Sequence, residues 1–425
     1  MANPLDPFGF GSRGTAMGSA MSADAQSFDA NYYNPAGLAR AKGLELSLGY
    51  FSANHFLKTN GNDNDVDPVK GLVGGLVAPG EVFGIPFAFG LGLHLPDDRI
   101  SRVRALRQET PRWEMYDNRN QRLFLAANIA VSPVPWLQIG GGFSFMSSTQ
   151  GRLDIGGLAN IFRPEDSALR HEVDADLTAV RYPQFGARVA LSDKIALAVV
   201  YRGEFRLKLD LSAYLQGDIS RLTTAMYALE THSVNNFLPQ QLVFGGSWLL
   251  PFDLRANLDV TWVNWSAYVP PVASLGVVLD IPPPPGGWPN GISPPEAPAK
   301  AHVAHLEMHD RAVPHVGLEW RAMAQTKWEL FARAGYEYDK SPIAPQTGVT
   351  NYIDRDRHAV SGGLGARLIS PMPEVPGDVR LDVHVQRSEL VGATTPKTDP
   401  ADLVGDYTAA GHIWNLGATL TVGFP

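Results

Sequence analysis

Cysteine is absent from the 425-residue chain, which excludes disulfides, thiolate metal sites and cysteine nucleophiles. Charge is scarce too. Asp, Glu, Lys and Arg make up 18% of residues, below the roughly 25% of soluble proteins. The net charge is −8 with no basic block, so nucleic acid is not an expected partner. No uncharged apolar run reaches the roughly 18 residues that a membrane-spanning helix needs. The longest candidate, VFGIPFAFGLGLHLP from Val82, is broken by Gly and Pro. The opening MANPLDPFGF lacks the basic start and apolar stretch of a secretion signal. That leaves a cytoplasmic chain or a mature exported chain behind an added initiator Met1. No G-x-S-x-G or comparable signature occurs, so neither an enzyme nor a cofactor is expected. His302, His305 and His309 invite a metal reading. On a strand only His305, Glu307 and His309 share a face, about 7 Å apart and too wide for one ion, so no metal site is expected.

What is present is glycine (42), proline (33) and alternation. In IALAVVYRGEFRLKLDLSA one face carries Ile195, Leu197, Val199, Tyr201, Phe205, Leu207 and Leu209. The other carries Arg202, Glu204, Arg206, Lys208 and Asp210. A period of two marks a strand with one apolar and one charged face. Its length is roughly three times the mean strand of about 5–6 residues. VRLDVHVQ, HIWNLGATLTVGF and DLRANLDVTWVNW repeat the pattern. An apolar set facing lipid and a small or charged set facing a wet interior describe a membrane barrel; a soluble barrel would reverse them.

Connections alternate in length. Short ones are SPVPW, SDK, PFD and AQTK; long ones are expected at 96–121, 156–171, 213–235, 270–301, 342–356 and 392–410. Roughly fourteen strands fit between Leu44 and Phe424, an even number as bacterial outer-membrane barrels need. The expected fold is therefore all-β, an antiparallel transmembrane barrel of about 14 strands. Trp136, Trp248, Trp262, Trp265, Tyr268, Trp320, Trp328 and Trp414 fall toward strand ends and suit interfacial aromatic girdles. The last residues, Phe424-Pro425, depart from the usual terminal aromatic. Residues 1–43 do not alternate at all.

Four stretches in order resemble the FadL/TodX family of outer-membrane transporters for long-chain fatty acids and other hydrophobic compounds. They are YYNPAGLA (Tyr32 to Ala39), YRGEFRLKLD (Tyr201 to Asp210), LDVTWVNWSAY (Leu258 to Tyr268), and YEYDKSPIAP with DRDRHAVSGGLG (Tyr336 to Gly365). The resemblance implies a Gram-negative outer-membrane location, with lipid and lipopolysaccharide as surroundings. It implies that 1–43 form a hatch inside a barrel of 44–425, with Asn34, Pro35, Ala36 and Gly37 as the gate. Pro35 would fix φ and Gly37 would supply freedom.

The family's ligand would be a fatty acid or another hydrophobic small molecule. Outer-loop residues Arg104 and Trp113 would capture it, though loop arginines equally suit lipopolysaccharide phosphates. Lumen candidates are Arg152, Arg202, Arg206, His309 and Arg311. Family lysine often stands where His309 stands, so a carboxylate is less well served and a neutral hydrocarbon needs no such charge. Release would be lateral, through a kink at Gly84, Pro86 and Gly90, where proline removes a ladder donor and glycine weakens packing. An alternative role is a FadL-like adaptor or structural subunit of surface or secretion machinery. Its protein partner would dock on outer loops such as the polyproline stretch 280–300.

Overall fold

A computed structural model describes residues 5–98, 110–117, 122–159, 168–219, 223–268, 272–283, 286–287, 306–371 and 377–424. Fourteen of its strands form the wall. They are β1 (Glu45–Thr59), β2 (Val69–Val82), β3 (Ile85–Pro96), β4 (Phe124–Val134), β5 (Leu137–Ala159), β6 (Ala168–Ser192) and β7 (Ile195–Arg202). Then come β8 (Gln241–Leu250), β9 (Leu254–Val263), β10 (Arg311–Ala324), β11 (Trp328–Asp339), β12 (Arg357–Ile369), β13 (Asp378–Thr395) and β14 (Tyr407–Gly423). Each pairs antiparallel with the next. β1 pairs with β14 from Glu45↔Gly423 to Thr59↔Ala409, which closes the sheet. Closure is what hydrocarbon demands, since it offers no water to a free backbone edge. No helix among the described residues is long and apolar enough to cross a membrane.

The expected alternation of faces holds around the wall. Leu48, Ile129, Phe143, Phe185, Phe244, Val360, Leu364 and Leu416 all point outward and are exposed. Their strand neighbours Asn128, Ser144, Gln184, Ser361 and Asn415 point inward and are buried. Short turns lie at one rim and long connections at the other. The turn Phe83-Gly84 has φ of 51° and 78°, the two positive values that a two-residue hairpin of matching twist requires. Trp136 sits in a short turn, Trp328 opens β11, and Trp262 and Trp414 face outward.

Four expectations change. The long strand from Ile195 is two elements, because both ladders flanking β7 end at Arg202. Pro183 on β6 has no N–H to offer, and the Gly203 N–H instead donates to its carbonyl at 2.8 Å. Beyond the break, Phe205–Ile219 leaves the wall. It runs parallel to the end of β5 and pairs with Thr223–Leu238. The connection expected as a loop at 213–235 is therefore a hairpin. A further strand, Val272–Asp280, lies inside the connection expected at 270–301 and pairs with that hairpin. Trp265 and Tyr268 are buried against Phe237, with ring centroids 6.2 and 5.7 Å away, and do not belong to a lipid-facing girdle.

Leu364 lies at the middle of the sheet, paired with Ala332 and Val383, and is 63% exposed. Leu364→Arg is expected to lower folding stability in vesicles by about 2–4 kcal/mol, read from urea-driven equilibrium unfolding. An unchanged midpoint would mean that this face does not meet lipid.

Candidate functional site

Residues 5–41 touch the inner wall on nearly every side. Their irregular backbone exposes carbonyls and N–H groups that must find partners once buried. Inward side chains supply them. Ser22 donates its backbone N–H and its hydroxyl to the Asp259 carboxylate, both at 2.8 Å. Asn257, Gln184, Arg188, Ser361 and Asn415 donate to the carbonyls of Ala20, Asn31, Ala23, Ala16 and Phe8 at 2.6–3.1 Å. Close approach needs glycine on the wall. A Cβ at Gly335 would lie 2.0 Å from the Gly18 nitrogen, and one at Gly140 2.5 Å from the Pro35 carbonyl carbon. These glycines sit within strands, where turn chemistry gives no reason for them.

A buried chain of charges ties the segment to three strands. Arg13 pairs with Asp24 and, at 2.9 Å, with Glu319 on β10. Glu319 also binds Arg333 of β11 at 2.6 Å, and Arg333 binds Asp382 of β13 at 2.7 Å. Arg255 reaches Asp24 at 3.1 Å. Burial pushes the Asp24 carboxyl up, but Arg13, Arg255 and Arg40 outweigh it and hold it below the usual carboxylate range. The tie is therefore intact at neutral pH and is lost only as pH falls through that lowered value. Glu319 alternates with the exposed Leu318 and Trp320, so its inward face is readable from the local pattern. Its partner Arg13 is not, because nothing local links residues so far apart in sequence.

In the Asn-Pro-Ala-Gly stretch, the Asn34 side chain accepts from the Ala36 N–H at 3.0 Å and donates to the Ser22 carbonyl at 2.7 Å. Pro35 starts the 3-10 turn Pro35–Arg40, where its missing N–H costs nothing. Ala36 is fully buried. Gly37 does not adopt positive φ. Its requirement is space, since a Cβ there would lie 2.1 Å from the Ala25 carbonyl oxygen.

Arg202 and Arg311 line one interior cavity of about 50 Å³, with Asp6, Tyr32, Asp259, His315, Glu337, Asp339 and Arg357. Small-molecule pockets run roughly 300–1,000 Å³, so this one holds only a few waters. Both arginines are engaged. Arg202 donates to the Tyr32 carbonyl at 2.9 Å, the Tyr33 carbonyl at 3.2 Å and Gln241 at 2.7 Å. Arg311 pairs with Asp339 at 2.8 Å, and Arg357 pairs with Glu337 and Asp339. Toward the long-connection rim the interior becomes aromatic. Arg206 covers the ring of Phe237 and Arg311 that of Trp265, each at 5.6 Å, while Arg206 itself is exposed and paired with Glu204.

The other candidates stand apart. Trp113 is buried and donates to Asn64 at 3.2 Å. The His309 side chain is 63% exposed and stands 3.9 Å from Glu307. Arg104 lies outside the described residues, as does the side chain of Arg152, whose backbone pairs with Asp174 in β6. Gly84 forms the turn before β3, Pro86 is paired with Glu81, and the β2–β3 ladder runs to that turn without a register shift. Gly90 faces inward, where a Cβ would meet Asn31 and Leu38 at 2.6 and 2.7 Å.

No family model and no curated protein matches the chain. Solved structures do. A FadL homologue of Pseudomonas aeruginosa is 14% identical with a TM-score of 0.60, covering 98% of each chain. The monoaromatic hydrocarbon channel CymD is 15% identical with a TM-score of 0.56, over 100% of this chain and 99% of its own. The Pseudomonas putida toluene transporter TodX is 13% identical with a TM-score of 0.56, over 99% of each. The chain thus has the FadL-type fold along its whole length.

Arg13→Ala is expected to free the segment by about 3–5 kcal/mol, since Asp24 and Glu319 each lose a buried partner. Hydrogen exchange of residues 12–25 should rise sharply while strand amides stay protected. Unchanged exchange would show that the charge chain does not hold the segment.

Proposed function

We propose that this chain is an outer-membrane channel of a Gram-negative bacterium that takes up hydrophobic small molecules. The observation that carries the reading is a lipid-facing barrel whose bore is occupied by residues 5–41 beneath a cluster of buried aromatic side chains. A hydrophobic solute entering from the long-connection rim would meet Phe205, Phe237, Trp265 and Tyr268, with Arg206 and Arg311 lying over two of those rings. Residues 1–43 act as the hatch, with Asn34–Gly37 as the turn that rearranges. The proteins that share the fold include channels described for toluene and monoaromatic hydrocarbons, which is consistent with this use.

Uncharged molecules are favoured over fatty acids. Arg202, Arg311 and Arg357 are engaged by protein partners, and the same cavity already holds Asp6, Asp259, Glu337 and Asp339. A carboxylate arriving there would have to displace an existing ion pair, and desolvating it without a partner costs several kcal/mol.

Exit is lateral, past β3. Gly90 and Gly92 present no side chain between the segment and the wall, and β3 pairs with β4 only from Phe87 onward. An apolar solute leaving there stays out of water.

The test is uptake by a Gram-negative host lacking its own hydrophobic channels. Toluene entry is expected to rise on expression, with oleate entry rising less. A folded, membrane-inserted protein that accelerates neither contradicts the proposal. Pro86→Val is expected to lower toluene uptake several-fold by completing the ladder toward β4. Uptake unchanged in that variant would rule out exit at this position while leaving the channel reading intact.

A further inference from the structure

At the short-turn rim the bore opens into a second, larger cavity of about 390 Å³, between the end of the N-terminal segment and strands β12, β13 and β14. That volume falls within the roughly 300–1,000 Å³ of small-ligand pockets. Its cations are Arg40 and Lys42 from the segment and Arg367 and Arg380 from the wall; its acids are Glu45 and Asp378. The acids are already in use. Asp378 accepts from Arg367 at 2.9 Å, and Glu45 accepts from the Ser27 hydroxyl at 2.6 Å.

The remaining cations are poorly served. Arg380 is 19% exposed and has two ion-pair contacts of 4.0 Å, to Glu45 and Asp382, with no hydrogen bond among the described residues. Lys42 makes no ion pair among the described residues. Arg40 donates to the carbonyls of Asp24 and Ala25 at 3.2 and 3.5 Å, but stands 3.8 Å from an Asp24 carboxylate that Arg13 and Arg255 already hold. Three positive groups therefore line one cavity, and among the described residues no carboxylate oxygen stands closer than 3.8 Å to any of them. A planar guanidinium in that position suits a two-oxygen anion.

We propose that this cavity binds a small oxyanion, a carboxylate or phosphate, that bridges Arg380 on the wall to Arg40 and Lys42 on the segment. The anion fastens the segment at the point where it joins β1. The site is separate from the transported molecule and goes beyond the channel reading. Arg380 points into the bore while its neighbour Leu381 faces outward and is exposed, so the anion comes from solution through the rim and not from the lipid around the wall.

The test uses the whole protein in neutral detergent, with inorganic phosphate as probe and its dissociation constant from calorimetry. At four times that constant, a ligand bound only by the seated segment raises amide protection about fivefold. Residues 38–44 are expected to gain that protection. Arg380→Gln should abolish the gain, and Lys42→Gln should weaken it if Arg380→Gln fails to fold. Lys327→Gln removes the same charge at the same rim outside the cavity and should behave as the unaltered protein. The proposal is overturned by absence of phosphate binding, or by an equal gain in Arg380→Gln. A gain that appears only in phosphate-free nanodiscs of phosphatidylglycerol would assign the site to a lipid headgroup and overturn the soluble-anion assignment.

Discussion

A backbone group buried away from water must find a partner, and this requirement acts twice here. Outside, it forces the sheet to close, which β1 and β14 accomplish over the full length of β1. Inside, it governs a segment with almost no regular structure of its own. The helices Ser12–Ala16 and Ala30–Tyr33 are too short to satisfy their own ends. The wall supplies the missing donors and acceptors, so the polar lumen side chains act as the counterpart of the segment's backbone.

That arrangement explains why charge is rare in this chain and where it is spent. The acids and arginines on β10, β11 and β13 join Arg13 and Asp24 in one buried chain. Breaking such a chain strands a charge, so the segment is held in one seat and not in many. Nearer the long-connection rim the same bore carries a buried aromatic cluster, Phe237, Trp265 and Tyr268.

The alternation of apolar and polar residues made the wall legible, because lipid outside and water or plug inside impose opposite demands on successive side chains. The short turns were legible because turn residues interrupt that alternation, whereas strands continue into the connections expected at 213–235 and 270–301. The break after Arg202 was not, since the alternation continues from Tyr201 to Leu209 while the chain leaves the barrel. Its cause, Pro183, lies on another strand. The glycines at 140 and 335 look like weak strand positions in one dimension and become contact points only when the segment is in place. Trp265 looked interfacial because an aromatic near a strand end fits a girdle or a buried layer equally well.

The seated segment is the centre of the account, and electrical conductance across a planar bilayer tests it most directly. The full chain is expected to conduct ions poorly. A variant lacking residues 5–41, confirmed as a folded barrel by its heat-modifiable migration, is expected to open a steady water-filled pore. Equal conductance in the two proteins would contradict the view that these residues occupy and close the bore.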